Sequence, residues 1–179
     1  WMTRPGYPAY RNTLRALGTS VVELACGAEV RYQPTVAMLE AERAARGAAP
    51  KGLVVASPAN PTGTIIDADE LAAIARWCDA HGVLLVSDEI YHGISFGRAT
   101  SSAWQTSRQG AVIGSVSKFF SMTGWRVGWM LVPAHLRRRV AILASNLTIC
   151  PPAVSQHAVL AALGEAARGE LEEHVETYR

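Results

Sequence analysis

Gly52-Leu53-Val54-Val55-Ala56-Ser57 is followed at once by Pro58-Ala59-Asn60-Pro61-Thr62-Gly63-Thr64. The first run is apolar throughout, the pattern of a strand buried on both faces of a parallel sheet. The second is dense in turn residues, so the strand ends sharply in a loop. Val83-Leu84-Leu85-Val86-Ser87 repeats the pattern and runs into Asp88-Glu89-Ile90-Tyr91-His92-Gly93. Ala111 to Ser115 is a third such strand and Val127 to Val132 a fourth. Between the first two, Leu71, Ile74 and Cys78 recur with helical spacing. Asp67 stands at the start of that helix, Glu70 follows in capping-box position, and Gly82 ends it. Strand and helix in alternation predict an α/β fold: a mostly parallel sheet, flanking helices and right-handed crossovers.

Upstream, Pro5-Gly6-Tyr7-Pro8 reads as a turn. A short helix follows with Tyr10, Leu14 and Leu17 on one face and Gly18 as its stop, and then a strand over Ser20 to Cys26. Thr35 caps a helix carrying Val36, Leu39 and Ala44, which ends near Gly47. Downstream, helices are expected from Pro133 to Asn146 and from Pro152 to Arg168, with a last amphipathic piece from Glu170 to Arg179. Val140 to Gly164 contains no Asp, Glu, Lys or Arg and imitates a membrane span. Pro151-Pro152 interrupts it, and Asn146, Gln156 and His157 are costly in lipid, so two buried helices joined at the prolines are expected.

Composition narrows the function classes. With 49% apolar and 18% charged residues, the 179-residue chain suits a folded domain and not a disordered tail. A net charge of +2, from 17 basic and 15 acidic residues, offers nothing to nucleic acid. The run Arg137-Arg138-Arg139 reads as the solvated face of a helix whose buried stripe is Leu136, Val140 and Leu143. Cys26, Cys78 and Cys150 lie far apart with no metal-ligand spacing, so no metal is expected. An odd count argues against a disulfide framework and for reduced core thiols in a cytoplasmic protein.

Of the two lysines, Lys51 and Lys118, the second closes an apolar run in Gly114-Ser115-Val116-Ser117-Lys118-Phe119-Phe120. A lysine in an apolar setting loses hydration, its charged form is disfavoured, and the neutral amine is a nucleophile that forms Schiff bases. Ser115, Ser117 and Arg126 supply the donors that hold a phosphate. A strand-end lysine with a packed stem and a solvated head fits the same residues equally well. Ligands of open parallel sheets bind at the carboxyl ends of strands. Asn60, Asp88 and Lys118 each follow or end a strand, so the three converge on one crevice. Taken singly, Asn60 is also a turn residue, Asp88 an N-cap or surface acid, and Tyr7 and Tyr91 packed aromatics.

Five motifs in order resemble the class I/II, aspartate aminotransferase family of pyridoxal-phosphate enzymes of fold type I. They are Pro5-Gly6-Tyr7-Pro8-Ala9-Tyr10, Ser57 through Thr64, Asp88-Glu89-Ile90-Tyr91, Ser115-Val116-Ser117-Lys118 with Arg126, and Asn146 through Gln156. The resemblance implies transfer of an amino group from an α-amino acid to a 2-oxo acid, with pyridoxal 5'-phosphate held as an internal aldimine on Lys118. Lys118 would then shuttle the Cα proton, and Asp88 would keep the pyridine nitrogen protonated. Tyr91 and Asn60 would donate to the phenolic oxygen, Tyr7 would stack on the ring, and Ser115, Ser117 and Arg126 would anchor the phosphate. A carbon–sulfur lyase or other elimination enzyme would use the same residues. The aminotransferase-like sensing domain of a transcription regulator is a reading of another class. The resemblance further implies a homodimer without nucleic-acid or membrane partners. It divides the chain into a partial cofactor-binding large domain over 1–168 and a connector over 169–179 leading to a small domain outside this stretch. Both a glycine-rich phosphate loop and a carboxylate-binding arginine are expected outside it too, so the large domain is read as incomplete at both ends.

Overall fold

The computed structural model describes residues 1–179. One sheet contains six strands: β1 (Met2–Arg4), β2 (Glu23–Ala25), β3 (Gly52–Ala56), β4 (Leu84–Asp88), β5 (Ala111–Ser115) and β6 (Gly128–Leu131). Their order is β2-β1-β3-β4-β5-β6; the first five strands are parallel, and β6 closes the edge antiparallel to β5. The mostly parallel α/β architecture is the one the sequence predicts. β1 was not expected: only three residues long, it pairs along its length with β2 and through Met2 with Val54. The strand expected over Ser20 to Cys26 shortens to β2.

Six helices flank the sheet: α1 (Pro8–Ala16), α2 (Val36–Arg46), α3 (Ala68–His81), α4 (Ala134–Leu147), α5 (Ala153–Ala162) and α6 (Glu165–Glu176). Thr35 Oγ1 accepts the Met38 N–H at 3.3 Å and starts α2. Gly47 and Gly82 end α2 and α3 with φ of 73° and 63°, a conformation that costs an L side chain energy. His81 Nδ1 lies 2.8 Å from the Trp77 carbonyl in the last turn of α3.

The capping box expected at α3 does not form. Asp67 makes no cap bond and pairs instead with Arg31, at 3.1 Å, and with Arg98. Glu70 accepts the Val36 N–H at 2.7 Å, so it ties the first residue of α2 to α3. Tertiary partners have taken both carboxylates from the local motif.

The core lies between α2, α3 and one face of the sheet. Leu53 and Val55 of β3 are 0% exposed and pack with Leu39, Leu71, Ile74 and Leu85. The strands expected to be buried on both faces alternate instead: β3 and β4 bury every second residue. Val54 and Val86 point to the other face, where they line a cavity of about 490 Å³ with Leu14 of α1. Within this chain, helices α2 and α3 shield one face only.

Four further expectations are corrected. α4 has no buried residue, and Leu143, read as part of a buried stripe, is exposed with Ile142 and Leu147. No element of this chain packs over that face. α5 buries only Ser155 and Val159, the latter against Val116 and Met122. The break expected near Arg168 falls at Gly164, and α6 runs unbroken across residues 168 and 169. Cys150 is exposed, whereas Cys26 and Cys78 are buried as expected. No helix is long and apolar enough to cross a membrane.

Burial pushes the Cys26 thiol up to about 11 and the Cys78 thiol up to about 12, the Asp79 carboxylate adding to the second. Both thiols should resist alkylation at pH 8 until the protein unfolds, with Cys150 reacting first; peptide mass spectrometry checks this. Raised thiol values stabilise the fold fully below the unfolded thiol value of 9.0. That contribution is lost as pH rises from about 9 to about 12. Urea midpoints should therefore fall across this window.

Candidate active site

Parallel pairing fixes where the strand ends meet. β3 and β4 lie in register with Ala56 opposite Asp88, and Asp88 lies opposite Ile113 of β5. The carboxyl ends of β1, β3, β4 and β5 thus open on one edge. The chain crosses from β2 back to β3 on the far side of β1, so β1 and β3 flank a topological switch point. Open α/β sheets hold ligands at such a crevice.

A cavity of about 290 Å³ lies there, lined by Tyr7, Tyr10, Asn60, Asp88, Ile90, Tyr91, Ser115, Ser117, Lys118, Thr123 and Arg126. All eight sequence-predicted site residues are among them. Asp88 is the last residue of β4; its Oδ1 accepts the Ile90 N–H at 3.0 Å and its Oδ2 accepts the Tyr10 hydroxyl. Burial raises the Tyr10 phenol far above its usual range, and the hydrogen bond to Asp88 adds to the shift. Tyr7 packs edge-on against Tyr10 with centroids 5.6 Å apart.

Lys118 follows β5 closely and opens a tight turn, in which the Ser121 N–H donates to the Lys118 carbonyl at 2.9 Å. Its Nζ sits 5.5 Å from the centre of the Tyr91 ring, a cation–π distance. Ser115 Oγ accepts the Ser117 N–H at 2.9 Å and lies 2.8 Å from Ser117 Oγ. Thr123 Oγ1 donates to the Ser117 carbonyl at 2.6 Å. Arg126 adopts a left-handed backbone, φ 55°, and donates from one terminal nitrogen to the Thr123 carbonyl at 2.9 Å. Its remaining guanidinium donors stay free for an anion beside the two serines.

The turn that carries Tyr91 is pinned from beneath. Glu89 is 6% exposed, and its Oε1 accepts from Ser87 Oγ at 3.0 Å and from the Ala103 N–H at 2.9 Å. His92 Nδ1 is 3.6 Å from Glu89 Oε2, which places that histidine in a turn-forming role. Gly93 has φ +93°, and a Cβ there would meet the Phe119 ring at 2.5 Å. The turn after β4 therefore sits directly on the residue next to Lys118.

Sequence reasoning missed Tyr10, Thr123 and Glu89. Tyr10 closes the first family motif, but sequence reasoning gives its side chain only a place on a helix face, because without β1 nothing sets α1 at the carboxyl edge of the sheet. Its position one helical turn beyond Tyr7 was the available signal. Thr123 holds the Ser117 carbonyl, and Glu89 holds the Ser87 hydroxyl and the Ala103 N–H, contacts that no spacing reveals. A larger cavity of about 540 Å³ adjoins through Asn60 and Tyr91, walled by Arg31 and Arg98. It contains neither the lysine nor the strand-end carboxylate, which both line the smaller one.

An open α/β sheet with a lysine, a doubly held carboxylate and a serine–arginine cluster at its carboxyl edge defines the large-domain architecture of fold type I. The chain belongs to the aminotransferase class I and II family, whose model matches residues 1–179. It is 54% identical over 99% of its length to the valine–pyruvate aminotransferase of Mycobacterium tuberculosis, of which it spans 45%. An aminotransferase crystal structure from the same organism superposes with a TM-score of 0.93 at 53% identity, covering 99% of this chain and 45% of that one. The aspartate/prephenate aminotransferase of Thermus thermophilus is 34% identical over 98% of the chain and 46% of the relative. The chain thus spans less than half the length of these relatives.

The family implies pyridoxal phosphate, and the donor set fits it. An amine, a fixed carboxylate, an exposed aromatic ring and a hydroxyl–guanidinium cluster line one cavity.

Replacing Glu89 with Ala would leave Ser87 Oγ and the Ala103 N–H unpaired in the interior, at a cost of about 2–4 kcal/mol. Glu89→Gln keeps one carbonyl for both bonds and should cost less than half as much. Urea unfolding curves of the two variants measure the difference.

Proposed function

We propose that the polypeptide carrying this sequence is a pyridoxal-phosphate-dependent aminotransferase, moving an amino group from an α-amino acid to a 2-oxo acid. The observation that carries this reading is the meeting of Lys118 and Asp88 in one cavity, with Ser115, Ser117 and Arg126 on its wall. When bound, the cofactor supplies an electron sink for the charge left when a substrate Cα loses its proton.

The chain's own residues perform the rest. Arg126 and the hydroxyls of Ser115 and Ser117 bind the phosphate, the guanidinium as a charged fork and the serines as neutral donors. Tyr7 offers its ring face to the pyridine ring. Asp88 holds the proton on the ring nitrogen, which a carboxylate fixed on both oxygens does without reorganising. Tyr91 and Asn60 donate to the phenolic oxygen. Lys118 would hold the cofactor through its amine and, once displaced by the substrate amine, would act as the base that takes the Cα proton and passes it to the cofactor.

Names of relatives guide the choice of substrates. The valine–pyruvate relative supports valine and pyruvate as the first pair to test, with aspartate as the contrasting donor. Free thiols at Cys26, Cys78 and Cys150 support a reducing, cytoplasmic location. The exposed apolar side chains of α4 and α5, such as Leu147 and Leu160, support a homodimer.

The test uses the full-length protein with added pyridoxal phosphate. Valine and pyruvate should be converted to the two exchanged products faster than aspartate and pyruvate. Lys118→Ala should lower turnover by a factor of about 10²–10⁴, the range for loss of a positioned acid–base group. Failure of the wild-type protein to bind the cofactor, or retention of normal turnover by Lys118→Ala, overturns the reading.

A further inference from the structure

The larger cavity beside the site, about 540 Å³, is edged by positive charge. Arg31 and Arg98 line it, and no acidic side chain does. Both guanidiniums turn to one carboxylate outside the wall: Arg31 donates to Asp67 Oδ2 at 3.1 Å, and Arg98 donates to Asp67 Oδ1. A second Arg31 nitrogen donates to the Ile65 carbonyl at 3.3 Å. Two cations against one anion leave a surplus positive charge. These bonds use only part of the N–H donors that two guanidiniums carry.

The arrangement is held against backbone preference. Arg31 and Tyr32 follow one another with φ of 54° and 59°, in the left-handed region that residues with a side chain seldom adopt. Arg98 comes from the loop after Tyr91, 31 residues from Asp67 in sequence. Separate segments thus bring both cations to one cavity. The rest of its wall is mixed, with Ile94 and Phe96 beside the hydroxyls of Thr62 and Ser95. Asn60 and Tyr91 belong to this cavity and to the smaller one with Lys118, so the two adjoin.

A 2-oxo acid carries a net negative charge at neutral pH, whereas the ammonium and carboxylate of an α-amino acid with an apolar side chain cancel. A surplus positive charge therefore acts on one of the two substrates and not on the other. We propose that the cavity of Arg31 and Arg98 is an anion-capture chamber, which gathers the 2-oxo acid beside the reaction site. Its ligand class is a small monocarboxylate: the guanidiniums draw the carboxylate, and Ile94 and Phe96 face the apolar part. This proposal rests on the aminotransferase reading.

A charge series on the full-length protein loaded with pyridoxal phosphate tests it, each half-reaction being followed by stopped-flow absorbance of the cofactor. Far-UV circular dichroism verifies that each variant is folded. The second-order rate constant with pyruvate should fall about two- to fivefold in Arg98→Ala and rise by a similar factor in Asp67→Asn, the scale of one charge at a partly exposed site. Arg98→Lys keeps the charge and should stay near the wild-type value. The constant with valine should change less than about twofold in every variant, because valine has no net charge for the field to act on. High salt should erase the differences with pyruvate, because exposed charges are screened. Equal effects on pyruvate and valine, differences that persist in high salt, or no change with pyruvate overturns the proposal and leaves the aminotransferase reading intact. Absence of either half-reaction in the wild-type protein overturns the aminotransferase reading for this pair and the proposal with it.

Discussion

The pairing of β3 with β4, Ala56 opposite Asp88, is the constraint on which the site depends. It aligns the ends of two parallel strands, so the loop holding Asn60 and the carboxylate of Asp88 emerge side by side. A slip of one residue would turn Asp88 to the other face of the sheet, because side chains alternate along a strand. The register is protected by burial: Leu53, Val55 and Leu85 all need the face covered by α2 and α3, and a slip would move them off it. Hydrophobic burial on one face thus fixes a polar geometry at the edge.

From that edge the site is assembled by contacts between loops. Gly93 lets the turn after β4 rest on Phe119, so Tyr91 and Lys118 are placed together as one unit. Glu89 holds the base of the same turn to Ser87 and Ala103. On the other side, Tyr10 joins α1 to Asp88. The Lys118 amine and the Asp88 carboxylate therefore share a frame whose parts come from four separate strand ends. In a parallel sheet, this is how residues distant in sequence become neighbours without long excursions of the chain.

Much of this was legible in the sequence, for reasons that differ by element. β3, β4 and β5 announce themselves as apolar runs, and the caps at Thr35, Gly47 and Gly82 follow local chemistry that tertiary structure left alone. The eight residues expected at the site line one cavity, where strand-end position and the family motifs both pointed. Elsewhere the local signal was overruled. Asp67 and Glu70 have capping-box spacing, yet Arg31, Arg98 and the Val36 amide compete better for them. β1 is too short to show a pattern, and with it Tyr10 lost its place beside the site. Apolar residues in β3, β4 and α4 predict more burial than this chain provides, because their second faces have no covering element here.

The central claim is that Lys118, among the chain's two lysines, is the amine that engages the cofactor in the cavity with Asp88. Borohydride reduction of the full-length protein loaded with pyridoxal phosphate, followed by peptide mass spectrometry, tests it most directly. A pyridoxyl mass on the peptide containing Lys118, and none on the peptide containing Lys51, is the result the account predicts. A label on Lys51, or no label on Lys118, would contradict it.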